Sequence, residues 1–369
     1  MNITKIELLN FRNYKKKIFD KFSNLNIIIG KNGIGKTSII ESIYLGSLAK
    51  SFKTNSELSI IKKGESFFRI KISCYDYGIK KNLELFYDKF GTKTKINSFP
   101  QKRLSEFISQ YRIIMLSPDE LKLIRSTPSI RRNYFNIELS QLNKQYLNNL
   151  NNYNNLIKNK NEYLKRINTN TSSDFNYLDI LDEKIVEEGI KIHEFRNSYI
   201  NKINSYINSI YKKYEKNGKI ILEYISDFND ISKENLLRSI KKNRNKEIKI
   251  GMATFGIHRD DIIFTYNGFD AKEYCSQGIQ KLIVLAMKLS EINIFIDDYD
   301  IKPILLLDDL FSELDEKNRN NIFKSLDCNI QIFITTTDLK NINKNILNKA
   351  KIYNLDEIGR WFKWMMIME

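Results

Sequence analysis

One stretch near the N-terminus constrains the fold more than any other, residues 25–45, LNIIIGKNGIGKTSIIESIYL. An apolar run of strand character ends abruptly in a glycine-rich segment, and a helical pattern of apolar residues follows. Strand, glycine-rich turn and helix, in that order, are the context of the phosphate-binding motif G-x-x-x-x-G-K-[ST]. The residues that fit it are Gly30, Lys31, Asn32, Gly33, Ile34, Gly35, Lys36 and Thr37. A chance glycine-rich turn is the alternative, and the flanking elements favour the phosphate loop.

The loop predicts a nucleotide site because its glycines let backbone N–H groups converge on phosphate oxygens at the positive end of a helix. Lys36 would reach the β- and γ-phosphates, and the Thr37 hydroxyl would bind Mg²⁺. A second apolar run, residues 304–307, ends in Asp308 and Asp309. Asp308 would hold Mg²⁺, and Asp309 would orient or deprotonate an attacking water. An acidic turn after an ordinary strand is the alternative for this pair.

About 270 residues separate the two halves of this site, so a large piece interrupts the nucleotide domain. Apolar residues at steps of three and four predict two long helices, over about 130–167 and about 178–214. A polar segment, residues 168–174, joins them and predicts an antiparallel arm about 55 Å long at 1.5 Å per residue. The dense asparagine of this region leaves a disordered tract as the alternative.

The rest of the chain reads as strands and shorter helices. Residues 3–29 predict three short strands, and residues 67–98 predict an antiparallel meander with turns at Gly78 and Gly91. The pair Asn267-Gly268 predicts a type I′ hairpin turn. We therefore expect three segments, with an N-terminal head part at 1–116, a mainly helical arm at 117–250 and a C-terminal head part at 251–369.

Composition bounds the partners and the compartment. The net charge is +16, which favours attraction to nucleic-acid phosphates, but only 14 of the 60 basic residues are arginine. The Lys, Asn and Ile bias of an AT-rich genome would give a similar charge to a protein of any function. Three scattered cysteines suit a reducing cytosol. No apolar run approaches the roughly 20 residues of a membrane span, and the N-terminus begins as a strand. We expect a cytoplasmic protein with no signal peptide and no membrane partner.

A third motif lies just before the acidic strand. Ser276, Gln277 and Gly278 open an apolar helix, and a Ser-x-Gly segment at a helix N-terminus is an anion site. Its position resembles the signature element of ABC-type ATPases, in which the signature of one subunit caps the γ-phosphate held by another. A serine-capped core helix is the alternative. Downstream, residues 311–315 resemble the D-loop of that class, and residues 331–337 resemble the strand that leads to the switch residue, here Thr337.

Taken together, these motifs resemble the RecF family of bacterial DNA-repair ATPases, relatives of the heads of SMC proteins. The resemblance covers nearly the whole chain in one order. Its most specific segments are the Pro-x-x-Arg-Arg run at 128–132 and the Gly-x-His-Arg-Asp run at 256–260. The chain departs from the family pattern at a few positions outside the nucleotide motifs, which are Lys53, Ser126, Asn136, Ile257 and Ile279.

The resemblance implies an α/β fold, with an ABC-type, SMC-head-like ATPase domain and an inserted helical arm. It implies an ATP-dependent DNA-binding homodimer of recombinational repair and replication. By this resemblance, the dimer would bind single-stranded DNA and gapped DNA at junctions between single and double strands. It would work with RecO and RecR to load a recombinase and support SOS induction. ATP and Mg²⁺ are the implied cofactors, and hydrolysis would be a slow switch.

The best candidates for DNA contacts are Arg12, Arg131 and Arg132, with solvation or an ion pair as the alternative for each. His258 and Arg259 are candidates to brace the arm against the head. The surviving alternative function is another SMC-class ATPase with a different task in DNA maintenance.

Overall fold

A computed structural model of the chain describes residues 1–54, 56–76, 78–108, 110–169, 174–229, 232–309, 318–319, 321–322, 330–339 and 342–357. It divides into two compact units, one formed by Met1–Glu120 with Leu285–Glu369 and the other by Leu121–Val284. The second unit extends beyond the expected arm limit at residue 250. The reason is that the strand Asp261–Tyr266, after that limit, pairs with the strand Ile220–Ile225, before it. The segment that resembles the D-loop, 311–315, and the tail, 359–369, lie outside the described residues.

The described elements are strands and helices in mixed order. The strands are β1 (Asn2–Phe11), β2 (Tyr14–Asp20), β3 (Leu25–Ile29), β4 (Phe68–Asp76), β5 (Ile79–Asp88), β6 (Gly91–Ile96), β7 (Phe99–Pro100), β8 (Ile113–Leu116), β9 (Ile220–Ile225), β10 (Asp261–Tyr266), β11 (Phe269–Asp270), β12 (Ile304–Asp308), β13 (Ile332–Thr336) and β14 (Lys351–Asn354). The helices are α1 (Lys36–Leu48), α2 (Leu104–Phe107), α3 (Lys122–Arg125), α4 (Pro128–Leu142), α5 (Lys144–Asn168), α6 (Phe175–Tyr211), α7 (Lys233–Ile250), α8 (Ala271–Tyr274), α9 (Gln277–Asn293) and a further short helix, Lys344–Leu347. Short 3₁₀ turns occupy Glu57–Ile60, Pro118–Leu121 and Ile257–Arg259, and a π-helical turn, Ile294–Asp298, extends α9.

The first unit is built on a parallel five-stranded sheet in the order β14-β3-β13-β12-β8. Strands β12 and β13 are apolar almost throughout and fully buried, as expected of strands covered on both faces. Strands β3 and β12 both pair in parallel with β13, which lies between them. Their carboxyl ends therefore lie at the same edge of the sheet, one strand apart. Open parallel sheets bind ligands at such an edge, where loops leave the strands.

A second, antiparallel sheet completes this unit in the order β2-β1-β4-β5-β6-β7. Its β4-β5-β6 portion is the predicted meander, which is confirmed. Helix α1 contacts both sheets. At Gly46, a side chain would collide with Ile72 and the Tyr111 hydroxyl, so glycine permits this close approach of helix and sheet.

The second unit carries the helical arm, and it corrects one expectation. The first long helix is divided into α4 and α5 at Asn143, whose backbone is extended at φ −135° and ψ 113°. The Asn143 side chain accepts hydrogen bonds from the amides of Gln145 and Tyr146, at 2.8 and 3.2 Å. This cap begins a new helix where the apolar periodicity predicted a continuous one.

The predicted antiparallel pairing is confirmed for α5 and α6, since Tyr146 meets Arg196 near one end and Lys160 meets Asp182 near the other. At 37 residues, α6 is about 55 Å long. Helix α7 packs against both. A three-stranded sheet, β11-β10-β9, belongs to this unit, and its hairpin turns at Asn267 and Gly268 with φ of 52° and 84°, as a type I′ turn requires.

A buried ionic cluster joins the three arm helices. The Lys160 ammonium of α5 lies 2.8 Å from Asp182 of α6 and 2.8 Å from Glu247 of α7. All three side chains are at most 3% exposed. Arg244 adds a second cation at 2.8 Å from Asp182. Each buried charge therefore has a partner on another helix, which is the condition under which burying charge is tolerated.

Across the described part of the chain, the helices are too short or too polar to span a lipid bilayer.

Candidate nucleotide-binding site

The phosphate loop connects β3 to α1, as predicted. Gly33 and Gly35 have φ of 79° and 114°, a region that favours glycine. A side chain at Gly35 would also lie 2.7 Å from both the Asn13 amide and the Tyr14 hydroxyl. These two side chains donate hydrogen bonds to the carbonyls of Ile34 and Gly35, at 2.9 and 3.2 Å. Asn13 and Tyr14, where β1 turns into β2, thus stabilise the conformation of the phosphate loop.

Lys36 lies within the loop and is only 6% exposed. Its ammonium donates to the carbonyls of Gly30 and Lys31, at 2.6 and 3.1 Å. Burial lowers the pKa of Lys36, and the negative charges of Asp309, Asp308 and Asp356 oppose that shift. The cation is therefore held at the first turn of the loop, close to three carboxylates.

Asp308 lies at the end of β12 and is 6% exposed. Burial raises the pKa of Asp308, while hydrogen bonds from the Thr335 and Thr37 hydroxyls oppose the shift. The Thr335 hydroxyl donates to Asp308 Oδ1 at 2.7 Å. The structure therefore brings together Thr37 and Asp308, the two residues predicted to hold Mg²⁺ from opposite ends of the sequence.

Asp309 follows with φ of 50°, an uncommon value for a residue other than glycine. Its backbone N–H donates to Thr335 Oγ1 at 2.9 Å. The fully buried Thr335 hydroxyl thus accepts from the Asp309 amide while donating to the Asp308 carboxylate. Thr335 fixes the Asp308 carboxylate and the Asp309 backbone. The sequence analysis missed it because it lies within a largely apolar strand.

Asp356 is a second residue that the sequence analysis missed. Strand β14 pairs in parallel with β3, which brings the chain after Asn354 beside the loop. The Lys31 amide donates to Asp356 Oδ1 at 3.4 Å, and a side chain at Gly30 would meet Leu355 at 3.3 Å. No motif marks Asp356, and only the pairing of these strands reveals it.

The predicted switch residue, Thr337, comes directly after β13 and is exposed. The neighbouring Thr336 hydroxyl donates to the Asp338 carbonyl at 2.9 Å. The switch role of Thr337 stays a prediction.

The signature-like segment lies in the second unit. Ser276, Gln277 and Gly278 are exposed at the start of α9, and Ser276 Oγ accepts a 3.4 Å hydrogen bond from the Ile279 amide. Buried Gln280 donates to the carbonyls of Ala271 and Cys275, at 2.9 and 3.1 Å, and so fixes the preceding turn. The helix N-terminus therefore follows a turn held by hydrogen bonds and is open to solvent.

The three arginines predicted to contact DNA all have protein partners. Arg12 forms a two-pronged ion pair with buried Glu41, at 2.8 and 2.6 Å. Arg131 forms another with Asp261, at 2.6 and 2.8 Å, and only 10% of its side chain is exposed. Arg132 is half-buried and donates to the Asp260 carbonyl at 2.6 Å. Their contacts with DNA stay predictions.

Comparison with known proteins decides the family. Residues 2–357 match the family described as RecF/RecN/SMC N terminal domain. The DNA replication and repair protein RecF of Staphylococcus carnosus (strain TM300) is 33% identical over 366 residues, 97% of this chain and 99% of that protein. The chain belongs to the RecF family. RecF of Staphylococcus aureus (strain JH9) is 32% identical over the same shares of both chains.

Solved structures agree with the RecF assignment. A structure titled as the recombination mediator protein RecF-ATP in the RecFOR pathway has a TM-score of 0.87 at 29% identity, covering 92% of this chain and 93% of that one. Its RecF-ATPrS counterpart has a TM-score of 0.84 at 30% identity, covering 93% and 94%. An SMC head bound to a domain of ScpA has a TM-score of 0.53 at 17% identity over 95% and 93%, a likeness of fold alone.

The Gly-x-His-Arg-Asp run, specific to RecF in the sequence analysis, belongs to a buried polar network. Arg196, 2% exposed, donates to Asp260 Oδ2 at 2.6 Å, to the Ile257 carbonyl at 2.8 Å and to Asn136 Oδ1 at 2.9 Å. The Tyr224 hydroxyl also donates to Asp260. The network joins α4, α6, β9 and the 256–260 segment within the second unit.

His258 lies beside this network. Its Nε2 donates to the Ala253 carbonyl at 3.2 Å, so the neutral ring accepts from the Tyr153 hydroxyl at Nδ1, 2.9 Å away. Arg259 also donates to the Ala253 carbonyl, at 3.3 Å. These contacts brace the second unit internally. The predicted bracing of arm against head stays a prediction.

His258 should make the stability of the chain fall on acidification. Burial lowers its pKa from 6.5 to about 4. Between those values the unfolded chain binds a proton that the folded chain does not, so the stability present above pH 6.5 is lost as the pH falls toward 4. We expect a loss of about 2 kcal/mol from this group between pH 7 and pH 5.

Urea unfolding of the wild type and of His258→Gln at both pH values measures this loss. The variant should show the smaller difference between the two pH values. His193→Gln measures how much the other histidine contributes to the pH dependence of the unfolding free energy. Equal pH dependence in the wild type and His258→Gln would contradict the assignment.

Proposed function

We propose that this RecF-family chain is an ATP-dependent DNA-binding protein of recombinational repair and replication. The observation that carries the proposal is the convergence of Lys36, Thr37 and Asp308 at one edge of the parallel sheet. A solved relative, RecF-ATP, has the same fold over nearly the whole chain. ATP is therefore the proposed nucleotide, held along Gly30–Thr37.

Mg²⁺ fits the residues present. Mg²⁺ is commonly held by one or two carboxylates together with substrate phosphates and water, and it needs no larger cluster of protein ligands. The Thr37 hydroxyl already contacts the Asp308 carboxylate, which supplies one neutral and one anionic oxygen. When bound, the ion would neutralise charge on the β- and γ-phosphates.

Asp309 is the proposed group for orienting the attacking water. Its backbone is fixed by Thr335, so the direction of its side chain is constrained. An aspartate is one methylene shorter than the glutamate that transporter ATPases carry at this place. We expect the Asp309 carboxylate to reach the attacking water less well, so hydrolysis should be slow. Hydrolysis would then act as a switch that ends the ATP-bound state.

We further propose that ATP joins two copies of the chain. Ser276, Gln277 and Gly278 are exposed at the start of α9, where backbone N–H groups favour an anion. They would cap the γ-phosphate held by the loop of a second copy. ATP then shifts the population toward the dimer because the complete triphosphate contacts both copies.

The proposed ligand of the dimer is DNA, either single-stranded or gapped, with preference for junctions between single and double strands. The net charge of +16 favours phosphate contacts. Of the three arginines, half-buried Arg132 is better placed for a phosphate than Arg131, which would have to leave its pair with Asp261. RecO and RecR are proposed partners, because the solved relatives are RecF proteins of the RecFOR pathway.

The second candidate is an SMC-class ATPase with another role in DNA maintenance, which the likeness to an SMC head supports at the level of fold. ATPase assays with gapped and uniform duplex of equal length discriminate the two. Stronger stimulation by gapped DNA supports the repair role. Equal stimulation favours the alternative.

Ser276→Arg tests the trans cap. The larger cation at the helix N-terminus should block docking of a second copy, so sedimentation should show ATP-dependent dimers for the wild type and monomers for the variant. ATP affinity should stay within about threefold, since the loop in the same chain is unaltered. Ser205→Arg, at an exposed serine of α6, is the matched control and should dimerise. Normal dimerisation of Ser276→Arg with ATP would rule out the trans cap.

A further inference from the structure

The outer face of the antiparallel sheet carries a corner of aromatic and basic side chains around the β5–β6 hairpin. We name it the Phe90 corner, and it consists of Phe67, Arg69, Phe86, Lys89, Phe90 and Lys93. Strand pairing places Arg69, Phe86 and Lys93 side by side on three neighbouring strands. Phe90, at the tip of the hairpin, is 77% exposed. All of its residues belong to the first unit, and none is part of the phosphate loop.

The rings and the cations of the corner are interleaved. Phe67 and Phe86 stack with centroids 5.3 Å apart and planes inclined by 29°. The Lys93 ammonium lies 5.6 Å from the Phe86 centroid and 5.7 Å from that of Phe90, and the Lys89 ammonium lies 5.0 Å from the Phe90 centroid. Cations at such distances are attracted to the ring faces. The corner therefore presents aromatic rings with lysine ammonium groups beside them.

The hairpin holds Phe90 in its exposed position. Asp88 Oδ1 accepts a 2.8 Å hydrogen bond from the Phe90 amide, while Oδ2 lies 3.2 Å from the Lys93 ammonium. Gly91, with φ of 105°, closes the turn. An exposed ring on an ordered turn loses little further freedom when a flat partner stacks on it, which lowers the entropic cost of binding.

The charge around the rings is complementary to a polyanion. On β4, β5, β6 and their hairpin, the cations of this face outnumber its carboxylates, with Arg69, Lys71, Lys89, Lys93 and Lys95 against Glu84 and Asp88. On neighbouring β1, the Glu7 carboxylate lies opposite Lys71 and is paired with Lys5 at 2.6 Å. Glu84 is shared between Lys71 at 3.1 Å and Lys95 at 3.7 Å, so it neutralises only part of their charge. An anionic partner with flat apolar groups matches both features of the corner.

We propose that the Phe90 corner binds a single-stranded polynucleotide. An unpaired base stacks on Phe90, and neighbouring phosphates contact Lys89 and Arg69. Proteins that bind single strands combine exposed aromatic rings with a positively charged surface in this way. A duplex keeps its bases stacked on one another, so it offers no free base to the ring. This inference takes DNA as the partner from the proposed function, and it adds a place on the chain where a single strand is held.

Binding of a fluorescent 20-nucleotide oligothymidylate, measured by anisotropy without ATP, tests the stacking contact. Phe90→Ala should weaken binding about tenfold, the loss expected for one base–aromatic stack. Phe99→Ala is the matched control, because Phe99 is 74% exposed on the same sheet, beyond the other end of β6. It should bind within about twofold of the wild type.

The phosphate contact has its own readout. Lys89→Gln should reduce the salt dependence of single-strand binding by about 0.7 in the slope of log K against log salt, the value for one phosphate contact. Lys102→Gln, at another exposed lysine of the first unit, should leave the slope unchanged. An oligouridylate of equal length shows whether the corner also accepts RNA.

Two outcomes separate this inference from the proposed function. Phe90→Ala should still form ATP-dependent dimers and bind duplex DNA like the wild type. If Phe90→Ala and Phe99→Ala bind the oligothymidylate equally well, the corner is not a single-strand site, whatever the dimer does. If the wild type binds no duplex with ATP but Phe90→Ala still weakens oligothymidylate binding, the proposed function is wrong. The Phe90 corner is then still supported as a single-strand site.

Discussion

Lys36→Ala is expected to weaken ATP binding by at least about 100-fold, since two hydrogen bonds to a charged group contribute about 1.5–3 kcal/mol each. The ammonium is already at the turn of the loop, held by the Gly30 and Lys31 carbonyls, so little reorganisation precedes its contact with phosphates. Removing it also takes away a positive charge that interacts with Asp308 and Asp309. Two carboxylates would then repel the incoming triphosphate.

Titration calorimetry with ATP and Mg²⁺ measures this effect. Lys31→Ala is the control, because Lys31 lies in the same loop but is exposed, and its affinity should change less than about threefold. Circular dichroism establishes that each variant is folded. An affinity of Lys36→Ala close to that of Lys31→Ala would mean that the loop does not hold the triphosphate.

Arg196→Met is expected to lower the free energy of unfolding by about 3–5 kcal/mol, the cost of leaving one member of a buried ion pair without its partner. The variant strands the Asp260 carboxylate and the Ile257 carbonyl in a site from which water is excluded. Lys233→Met is the matched control on an exposed pair, since both Lys233 and Glu187 are about half exposed. Its cost should stay below about 1 kcal/mol.

A double variant measures how much of the lost unfolding free energy comes from leaving the buried Asp260 carboxylate without its cation. Arg196→Met combined with Asp260→Leu removes both ions, and it should recover part of the stability that Arg196→Met loses. Urea unfolding of the wild type and the variants gives the coupling directly. If the double variant costs the sum of its single changes, the two residues do not act as a pair.

The parts of the site that were predicted from the sequence are those encoded locally. The loop from Gly30 to Thr37 follows from a strand, glycines at fixed spacing and a helix, all within about 20 residues. Asp308 was found in the same way, at the tip of an apolar run. The parallel sheet brings these two segments together, and because strand, motif and helix are each local, the spatial result could be anticipated.

The residues that were missed, and the one element that was misjudged, depend on side-chain partners. Thr335 looks like an ordinary strand residue until its hydroxyl is seen between Asp308 and Asp309. Asn143 ends one helix and begins another through its own side chain, although apolar residues keep a helical spacing on both sides of it. Arg131 suggested a phosphate contact, but its carboxylate partner is Asp261, 130 positions away. Sequence periodicity does not record such partners.

The shared ammonium of Lys160 has a mechanical consequence for the arm. Sliding α5 along α6 by one turn, about 5.4 Å, would separate the Lys160 ammonium from Asp182 and break a buried ion pair. Leucine and isoleucine contacts tolerate such a slip far better, because one apolar side chain replaces another. The buried charges therefore select a single register among the many that the apolar stripe would permit. A shift of one arm helix past another would have to break these ion pairs first.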